Sequence, residues 1–355
     1  MPLAIILETT TLCVIGSAAF IGNVSLFIIV YKDKDLQTIT NLYILNLAAA
    51  DIMVSILSIP FTVVTIITED SVFGDSACVA LGFFTILSFI ASVMSLGMIA
   101  INRYFYIVRW NTYSKIFSRR KALLYAAAVW VVALSLASPP LLGWAEYRFI
   151  PGKSYCFVYW PSDVYYMYFM INVCFFGPLS IMTFSYCNVL RFTKNLKRRI
   201  AATRNNFVRP VPTIPNKVDL QTVERSQTGE RREADSNSKS TSRSPGFQVT
   251  PEETRITNTF IFVVTLFVIC WAPFAITMFF DVYYPKPLPR ALDMASLILG
   301  YLNSMCNPVL YGLRNSDIRQ GVLNLYSRFL PERFRAKTWC NQRLMETSLN
   351  QSFEV

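Results

Sequence analysis

The fold of this chain is decided by residues 78–108, CVALGFFTILSFIASVMSLGMIAINRYFYIV. This stretch carries a single charge, Arg103, and lacks the apolar–polar alternation of a barrel strand. At about 1.5 Å per residue, an α-helix of this length crosses the ~30 Å hydrocarbon layer of a membrane. Only a helix or a closed barrel satisfies its backbone groups in lipid. The stretch therefore predicts a transmembrane helix.

Six more apolar runs of similar length flank this one on both sides. They are Ile5–Tyr31, Leu42–Ile67, Ala122–Trp144, Val164–Leu190, Ile256–Phe280 and Ala291–Leu313. A buried core helix explains any one run but not seven in series. The composition agrees, since 53% of the residues are hydrophobic and only 15% are charged. We predict an all-α membrane protein, a seven-transmembrane helix bundle.

The distribution of positive charge predicts how the bundle is oriented. With the amino terminus outside, 29 of the 33 Lys and Arg residues fall in the inner loops and the carboxy-terminal tail. The short loops alone give the same answer, as the positive-inside rule requires. We therefore expect a multi-pass plasma membrane protein with a cytoplasmic carboxy terminus. The net charge of +11 marks its cytoplasmic face rather than a nucleic-acid site.

The polar segments divide the chain. Residues 1–330 are predicted to form one domain, with a disordered cytoplasmic loop at about 200–251, and residues 331–355 a cytoplasmic tail. Asn315–Leu330 has the apolar spacing of an amphipathic helix lying on membrane lipid, although a solvated helix is the alternative.

Cysteines and the last residue give three local predictions. Cys78 and Cys156 both face the oxidising outer space, which favours a disulfide between them. Cys340 lies in the tail, where it is a candidate for palmitoylation. A terminal Val355 fits the groove of a PDZ-type partner.

Polar residues inside the predicted spans indicate function, because burying them is costly. Asp51 lies midway along the second span and needs partners, a proton or a cation. Oxygen-bearing side chains at similar depth are Asn23, Ser92, Asn303 and Asn307. Two readings stay open: a Na⁺ site at Asp51, or a polar network that joins the helices.

Two features suggest a moving bundle. Arg103 ends the apolar part of the third span, and Glu253 begins the sixth, so the two can pair across the bundle. A plain positive anchor is the alternative for Arg103. Prolines inside four spans allow kinks, and Pro273 follows the bulky Trp271 in the sixth.

The whole pattern resembles the rhodopsin-like (class A) G-protein-coupled receptors. The resemblance rests on Gly22-Asn23, Asn46 to Asp51, Cys78 with Cys156, Asn102-Arg103-Tyr104, Trp130, Pro178 with Tyr186, Cys270 to Pro273 and Asn307 to Tyr311. It implies a heterotrimeric G protein as partner and an activation switch formed by Asn102, Arg103, Tyr104, Tyr186, Glu253, Trp271, Pro273, Asn307, Pro308 and Tyr311. Asn102 departs from the family pattern, in which this position is acidic.

In motif detail the chain looks most like the melatonin-receptor branch, with opsins nearby. It contains no histidine, whereas melatonin receptors present one from the fifth helix. Tyr301 stands where an opsin has its retinal-binding lysine, so no retinal is expected. Thr85 stands where monoamine receptors have an aspartate. The ligand is therefore unassigned at this point.

The expected ligand pocket is apolar and aromatic, and it suits a small neutral or amphipathic extracellular ligand. Its predicted members are Thr85, Phe89, Asn172, Phe175, Phe176, Trp271, Phe274 and Tyr301, although ordinary helix packing explains such residues too. Because no nucleophile with a base, metal-ligand cluster or phosphate loop is evident, the chain is not expected to be an enzyme. The rival functions are an opsin-like light sensor or photoisomerase, and a channel or transporter.

Overall fold

The computed structural model describes residues 3–70, 72–151, 153–207, 251–284, 286 and 288–327, without the side chains of 199–207 and 251–256. The predictions for the loop at 200–251, the Glu253 side chain, Cys340 and Val355 lie outside these residues, wholly or in large part.

Within this part of the chain, seven long helical segments form the bundle, and we call them the first to seventh spans. Their bounds are Leu3–Lys32, Ile39–Thr68, Gly74–Ile107, Arg119–Ala137, 164–207, Pro251–Tyr283 and Arg290–Arg314. The first six are long and apolar enough to cross a membrane. The seventh is more polar because Asp293, Asn303 and Asn307 lie along it. The predicted seven-helix membrane bundle is confirmed.

The fourth span is shorter than predicted. It ends at Ala137 rather than Trp144, and Pro139–Leu142 form a short 3₁₀ turn. Two consecutive prolines lack the N–H groups that would continue the helix, so the chain leaves it there. A short helix, Trp110–Ile116, lies before this span.

Two spans contain a π-helical turn just before a proline. In the second span, Val54–Ser58 precede Pro60; in the fifth, Ile171–Phe176 precede Pro178. Proline cannot donate a backbone hydrogen bond, and a π turn places an extra residue in the helix at that point. The residues that follow are thereby rotated about the helix axis.

A β-hairpin covers one end of the bundle, which we call the hairpin end. Strand β1 (Tyr147–Ile150) pairs antiparallel with β2 (Tyr155–Val158). The Tyr147 hydroxyl donates to the Ala137 carbonyl oxygen at 2.8 Å, which attaches the hairpin to the end of the fourth span. The hairpin thus lies over the centre of the bundle instead of extending away from it.

The buried core is continuous from the hairpin end to the opposite end, which we call the Arg103 end. Two clusters of buried apolar side chains share Phe89, Met94, Met98 and Trp271 at their junction. A movement of a side chain at this junction therefore reaches both halves of the core, because close-packed side chains have little free space between them.

The surface helix, Ser316–Tyr326, follows the seventh span. The Asn315 side chain caps it by accepting from the backbone N–H groups of Asp317 and Ile318 at 3.0 and 3.3 Å. The Tyr326 hydroxyl lies 2.6 Å from Ser25 Oγ of the first span. The predicted helix is thus present over Ser316–Tyr326 and packs against the first span on one side, while residues 328–330 of the predicted range lie outside the described part of the chain.

Candidate functional site

At the hairpin end, a disulfide fixes the hairpin to the third span. Cys78 and Cys156 are bonded, with their Cα atoms 5.2 Å apart, so the predicted disulfide is confirmed. It holds β2 over the bundle, directly above a small internal cavity.

This cavity is apolar and has a volume of about 40 Å³. Its walls include Phe89 of the third span, Phe175 of the fifth, Trp271 and Phe274 of the sixth, and Phe157 and Trp160 of the hairpin segment. The Trp271 and Phe89 ring centroids are 4.2 Å apart. A Cβ atom at Gly300 would come within 3.1 Å of the Trp271 ring, so the seventh span also packs closely against this ring. Trp271 therefore links the cavity to three spans.

Four of the eight predicted pocket residues line this cavity: Phe89, Phe175, Trp271 and Phe274. Thr85 and Tyr301 instead lie behind it, where their hydroxyls are 2.7 Å from Ser58 and 3.3 Å from Thr62 of the second span. Both are buried, so they contribute polar groups near the cavity rather than a wall of it.

The remaining two predicted pocket residues, Asn172 and Phe176, point away from the bundle. Both are exposed, and Asn172 donates to the Tyr168 carbonyl oxygen of its own helix. They belong to the π turn, which shifts the inward face to Ile171 and Cys174. Regular helical spacing cannot reveal this rotation; the only signal is the proline two residues beyond Phe176.

The predicted polar cluster is buried in the middle of the bundle. Asn307 donates to Asp51 Oδ2 at 2.8 Å, and Asn23 donates to the Ser304 carbonyl oxygen at 3.1 Å. These two bonds join the seventh span to the second and the first. All five predicted residues are buried.

Each of these five residues also has one buried side-chain oxygen without a hydrogen-bond partner. The atoms are Asn23 Oδ1, Asp51 Oδ1, Ser92 Oγ, Asn303 Oδ1 and Asn307 Oδ1. Buried acceptors of this kind are normally satisfied by water or an ion. These five atoms are all oxygens, and one belongs to a carboxylate. Such a set of ligands fits a hard cation such as Na⁺ as well as it fits water.

At the Arg103 end, Asn102 joins three structural elements. Its Oδ1 accepts from Thr40 Oγ1 of the second span at 2.9 Å, and its Nδ2 donates to the Tyr113 hydroxyl of the helix Trp110–Ile116 at 3.2 Å. Burial raises the pKa of Tyr113, while this hydrogen bond and the charge of Arg103 act in the opposite direction. The neutral Asn102 amide therefore connects the third span to the second span and to the helix Trp110–Ile116 by hydrogen bonds, without placing a charge next to Arg103.

Arg103 itself is only 8% exposed and lies between aromatic rings. Its guanidinium carbon is 5.7 Å from the ring centroid of Tyr106 and 5.4 Å from that of Phe260 in the sixth span. Tyr311 of the seventh span lies 6.0 Å from the same Phe260 ring. The predicted switch residues of the third and seventh spans thus meet at one ring of the sixth. The pair with Glu253 stays a prediction, as its side chain is outside the described residues.

Residues 22–311 match the family described as "7 transmembrane receptor (rhodopsin family)", which covers most of the chain. The chain belongs to this family. Members are receptors and not enzymes.

Individual relatives of this rhodopsin-family receptor are distant. It is 27% identical to the mouse alpha-1D adrenergic receptor over 94% of its own length and 25% identical to the G protein-coupled receptor 161 of Bos taurus over 91%. It spans about 60% of the length of these curated relatives. The crystal structure of squid rhodopsin shares its fold, with a TM-score of 0.71 and 21% identity over 91% of this chain and 85% of that one.

The other predicted switch residues lie along the same spans of the receptor. Pro273 and Pro308 are inside the sixth and seventh helices, and Pro308 packs against Gly22 of the first. Tyr186 is buried in the fifth span, whereas the ring of Tyr104 lies 5.9 Å from Phe184 at the side of the bundle. Tyr104 thus contacts the fifth span, whereas Arg103 and Tyr311 contact Phe260 of the sixth.

A buried ion-pair cluster at the hairpin end was not predicted. Lys153 Nζ lies 2.5 Å from Asp281 Oδ2 and 3.2 Å from Asp293 Oδ1, so the hairpin turn is bonded to the sixth and seventh spans. Burial, and then the charges of these two carboxylates, raise the pKa of the nearby Tyr155. The available signal was Asp293, an acidic residue inside the seventh apolar run.

The disulfide gives a direct prediction for the receptor. Cys78→Ser and Cys156→Ser are each expected to lower surface expression, because a disulfide of this kind contributes ~2–5 kcal/mol. The double variant should be no worse than either single one, since the shared bond is lost only once. Quantitative surface labelling tests this, with Cys13→Ser as a matched control on an exposed free cysteine. Additive losses would contradict a shared role.

Proposed function

We propose that this protein is a ligand-activated receptor that promotes nucleotide exchange on a heterotrimeric G protein. One observation supports it above the others: the core is continuous from the apolar cavity, through Phe89 and Trp271, to the rings around Arg103. A ligand that displaces Trp271 therefore pushes on side chains that reach the Arg103 end. The G protein would bind there once the third and sixth spans separate.

We also propose that the hairpin end is extracellular and the Arg103 end cytoplasmic, in the plasma membrane. The Cys78–Cys156 disulfide favours an oxidising compartment for the hairpin. The excess of Lys and Arg on the opposite side agrees with the positive-inside rule. The surface helix would then lie against lipid at the cytoplasmic face.

The proposed ligand of the apolar cavity is small and neutral or amphipathic. The walls offer aromatic and thioether groups, with Thr85 and Tyr301 behind them. Sites for drug-sized ligands usually occupy ~300–1,000 Å³, so side chains must move to admit one. A melatonin-like ligand is suggested only by the motif resemblance.

A light sensor is the second candidate, since squid rhodopsin shares the fold. Tyr301 argues against it, because its hydroxyl is already 3.3 Å from Thr62 and it has no amine for a Schiff base. Incubating the purified receptor with retinal and scanning the visible absorbance separates the two. A new absorbance band that survives denaturation with acid would favour the light sensor.

A ligand screen tests the leading proposal. Cells expressing the receptor with sensors of G-protein dissociation should respond to at least one small apolar compound. Trp271→Leu should reduce the response, whereas Phe176→Leu, at an exposed aromatic on the outer face, should leave it unchanged. Equal effects of the two substitutions would argue against the cavity as the ligand site.

Sodium binding at Asp51 gives a prediction that needs no ligand. If Na⁺ binds the five unpartnered oxygens, replacing K⁺ by Na⁺ at constant ionic strength should raise the melting temperature of the purified receptor. A Na⁺ concentration ten times its dissociation constant stabilises the folded receptor by ~1.4 kcal/mol, which raises the melting temperature by a few degrees. Asp51→Asn should remove the difference because it removes the charge. Equal melting temperatures in the two salts would leave only the polar network.

The neutral residue at 102 gives a prediction about basal activity. Asn102→Asp adds a carboxylate beside Arg103, so ligand-independent signalling should fall. A gain of ~1 kcal/mol in the resting state would lower the active fraction about fivefold. Asn102→Ala is the control, because it removes the bonds to Thr40 and Tyr113 without adding charge. Basal output that rises in Asn102→Asp, measured with the same sensors, would contradict this.

A further inference from the structure

A second cavity, larger than the first, lies at the hairpin end. It has a volume of about 290 Å³ and sits between the hairpin segment, the end of the sixth span and the beginning of the seventh. Aromatic side chains form much of its wall: Tyr159, Trp160, Phe280 and Tyr284. Trp160 also lines the apolar cavity near Trp271, so it forms a wall shared by the two.

The cavity wall carries two lysines and two aspartates, but only Lys153 of the two lysines lies against the carboxylates. Asp281 and Asp293 both face Lys153. The side chains are 18% exposed at Asp281, 5% at Asp293 and 9% at Lys153. Two carboxylates thus share one ammonium. Asp293 Oδ1 forms an ion pair with Lys153 Nζ at 3.2 Å, but the contact lacks hydrogen-bond geometry. Lys286, which also lines the cavity, is exposed and can be screened by solvent.

An excess buried carboxylate is costly unless a cation compensates it. Aromatic faces attract ammonium groups and do so more strongly when water is excluded. A cavity that combines both features therefore favours an organic ammonium ion over a neutral or anionic ligand.

The turn that carries Lys153 is held in place. Ser154 adopts a left-handed backbone (φ 52°). Its carbonyl oxygen accepts from Thr65 Oγ1 at 2.6 Å, and its Oγ accepts from Arg290 Nη1 at 2.6 Å. Because Ser154 is bonded to the second and seventh spans, the adjacent Lys153 is held beside the two carboxylates.

We propose that this cavity is a binding site for an organic ammonium ion, and that Lys153 occupies its carboxylate pair from within the chain. A free ammonium ion then competes with the Lys153 side chain for the two carboxylates. Tethering gives Lys153 a high effective concentration, so the unmodified receptor binds a free amine only in the fraction in which Lys153 is displaced. The site is separate from the position of Thr85 and does not depend on G-protein coupling.

Removing the tethered ammonium tests the proposal. Full-length receptor in lipid nanodiscs is titrated with benzylammonium, and binding is followed by melting temperature and by calorimetry. Lys153→Met should bind it at least about tenfold more tightly than the unmodified receptor, and the neutral analogue benzyl alcohol should show no such gain. Adding both Asp281→Asn and Asp293→Asn to Lys153→Met should abolish the gain, because no carboxylate then remains in the cavity wall.

Lys286→Met is the matched control, since it removes an exposed lysine from the wall of the same cavity and leaves Lys153 and both carboxylates in place. It should not increase benzylammonium affinity. Equal gains in Lys286→Met and Lys153→Met, or equal gains for benzylammonium and benzyl alcohol, would overturn the proposal.

A charge-matched pair covers the case in which Lys153→Met alone does not fold. Lys153→Met with Asp281→Asn keeps the net charge of the cluster, so it should fold and bind benzylammonium through Asp293. Adding Asp293→Asn should remove that binding. Identical affinities of the double and triple variants would show that the carboxylate does not bind the ammonium.

Discussion

Arg103→Ala is expected to abolish most G-protein activation while leaving the receptor folded and at the cell surface. Arg103 is buried, and its guanidinium carbon lies 5.4 Å from the ring centroid of Phe260 in the sixth span. In the proposed mechanism the same guanidinium meets the G protein when the spans separate. A buried arginine at the centre of an interface typically contributes ~2 kcal/mol or more, which corresponds to about 30-fold in coupling. Initial rates of nucleotide exchange, normalised to surface receptor, measure it.

Arg109→Ala is the control for loss of positive charge at the same end. Arg109 is exposed, and its Nε donates to the Tyr104 hydroxyl at 3.4 Å, so it makes no contact with the sixth span among those the structure describes. Its replacement should change exchange rates by less than about threefold, as expected of an exposed charge. Similar losses in the two variants would mean that Arg103 acts only through general charge.

Gly22→Ala is expected to destabilise the bundle strongly. A Cβ atom at Gly22 would lie 2.7 Å from Pro308 Cγ and 3.0 Å from Pro308 Cβ. The proline ring cannot rotate away, so the first and seventh spans must move apart. That movement also disturbs the 3.1 Å bond from Asn23 to the Ser304 carbonyl oxygen. Overpacking of this kind costs ~1–3 kcal/mol, and we expect a clear fall in melting temperature and yield.

Gly97→Ala is the matched control for this effect. Gly97 also lies within a span, and no atom comes within 4 Å of a Cβ built there. Alanine favours helix over glycine by up to ~1 kcal/mol, so this variant should be as stable as the parent or slightly more. If both variants melt alike, the first and seventh spans do not pack as described.

The sequence predicted the spans because membrane helices need long apolar runs, and these are visible without tertiary information. It also placed together residues that are costly to bury, such as Asp51 and Asn307, which are hydrogen-bonded in the structure. The family resemblance named Arg103 and Tyr311 as switch residues, and the structure brings both to one ring of the sixth span. The cluster around Asp51 follows from depth in the membrane, which can be counted along each helix. Their roles in signalling stay predictions.

Rotation about the helix axis and the course of the loops could not be predicted in this way. Asn172 and Phe176 face outward because a π turn changes which residues point inward. The hairpin places Phe157 and Trp160 in the cavity wall, and Lys153 between two carboxylates, although a loop outside the spans has no periodicity from which to read such contacts. Both features depend on tertiary packing rather than on local apolar pattern.

Reconstituted nucleotide exchange tests the central claim most directly. The purified receptor in nanodiscs is mixed with G proteins of each major class, and GTP-analogue uptake is timed for the parent, for Arg103→Ala and for Glu253→Ala, which is expected to weaken the resting state. The account predicts that at least one class exchanges nucleotide faster with the parent than with Arg103→Ala, and faster still with Glu253→Ala. Rates for all three that equal the receptor-free baseline in every class would contradict it.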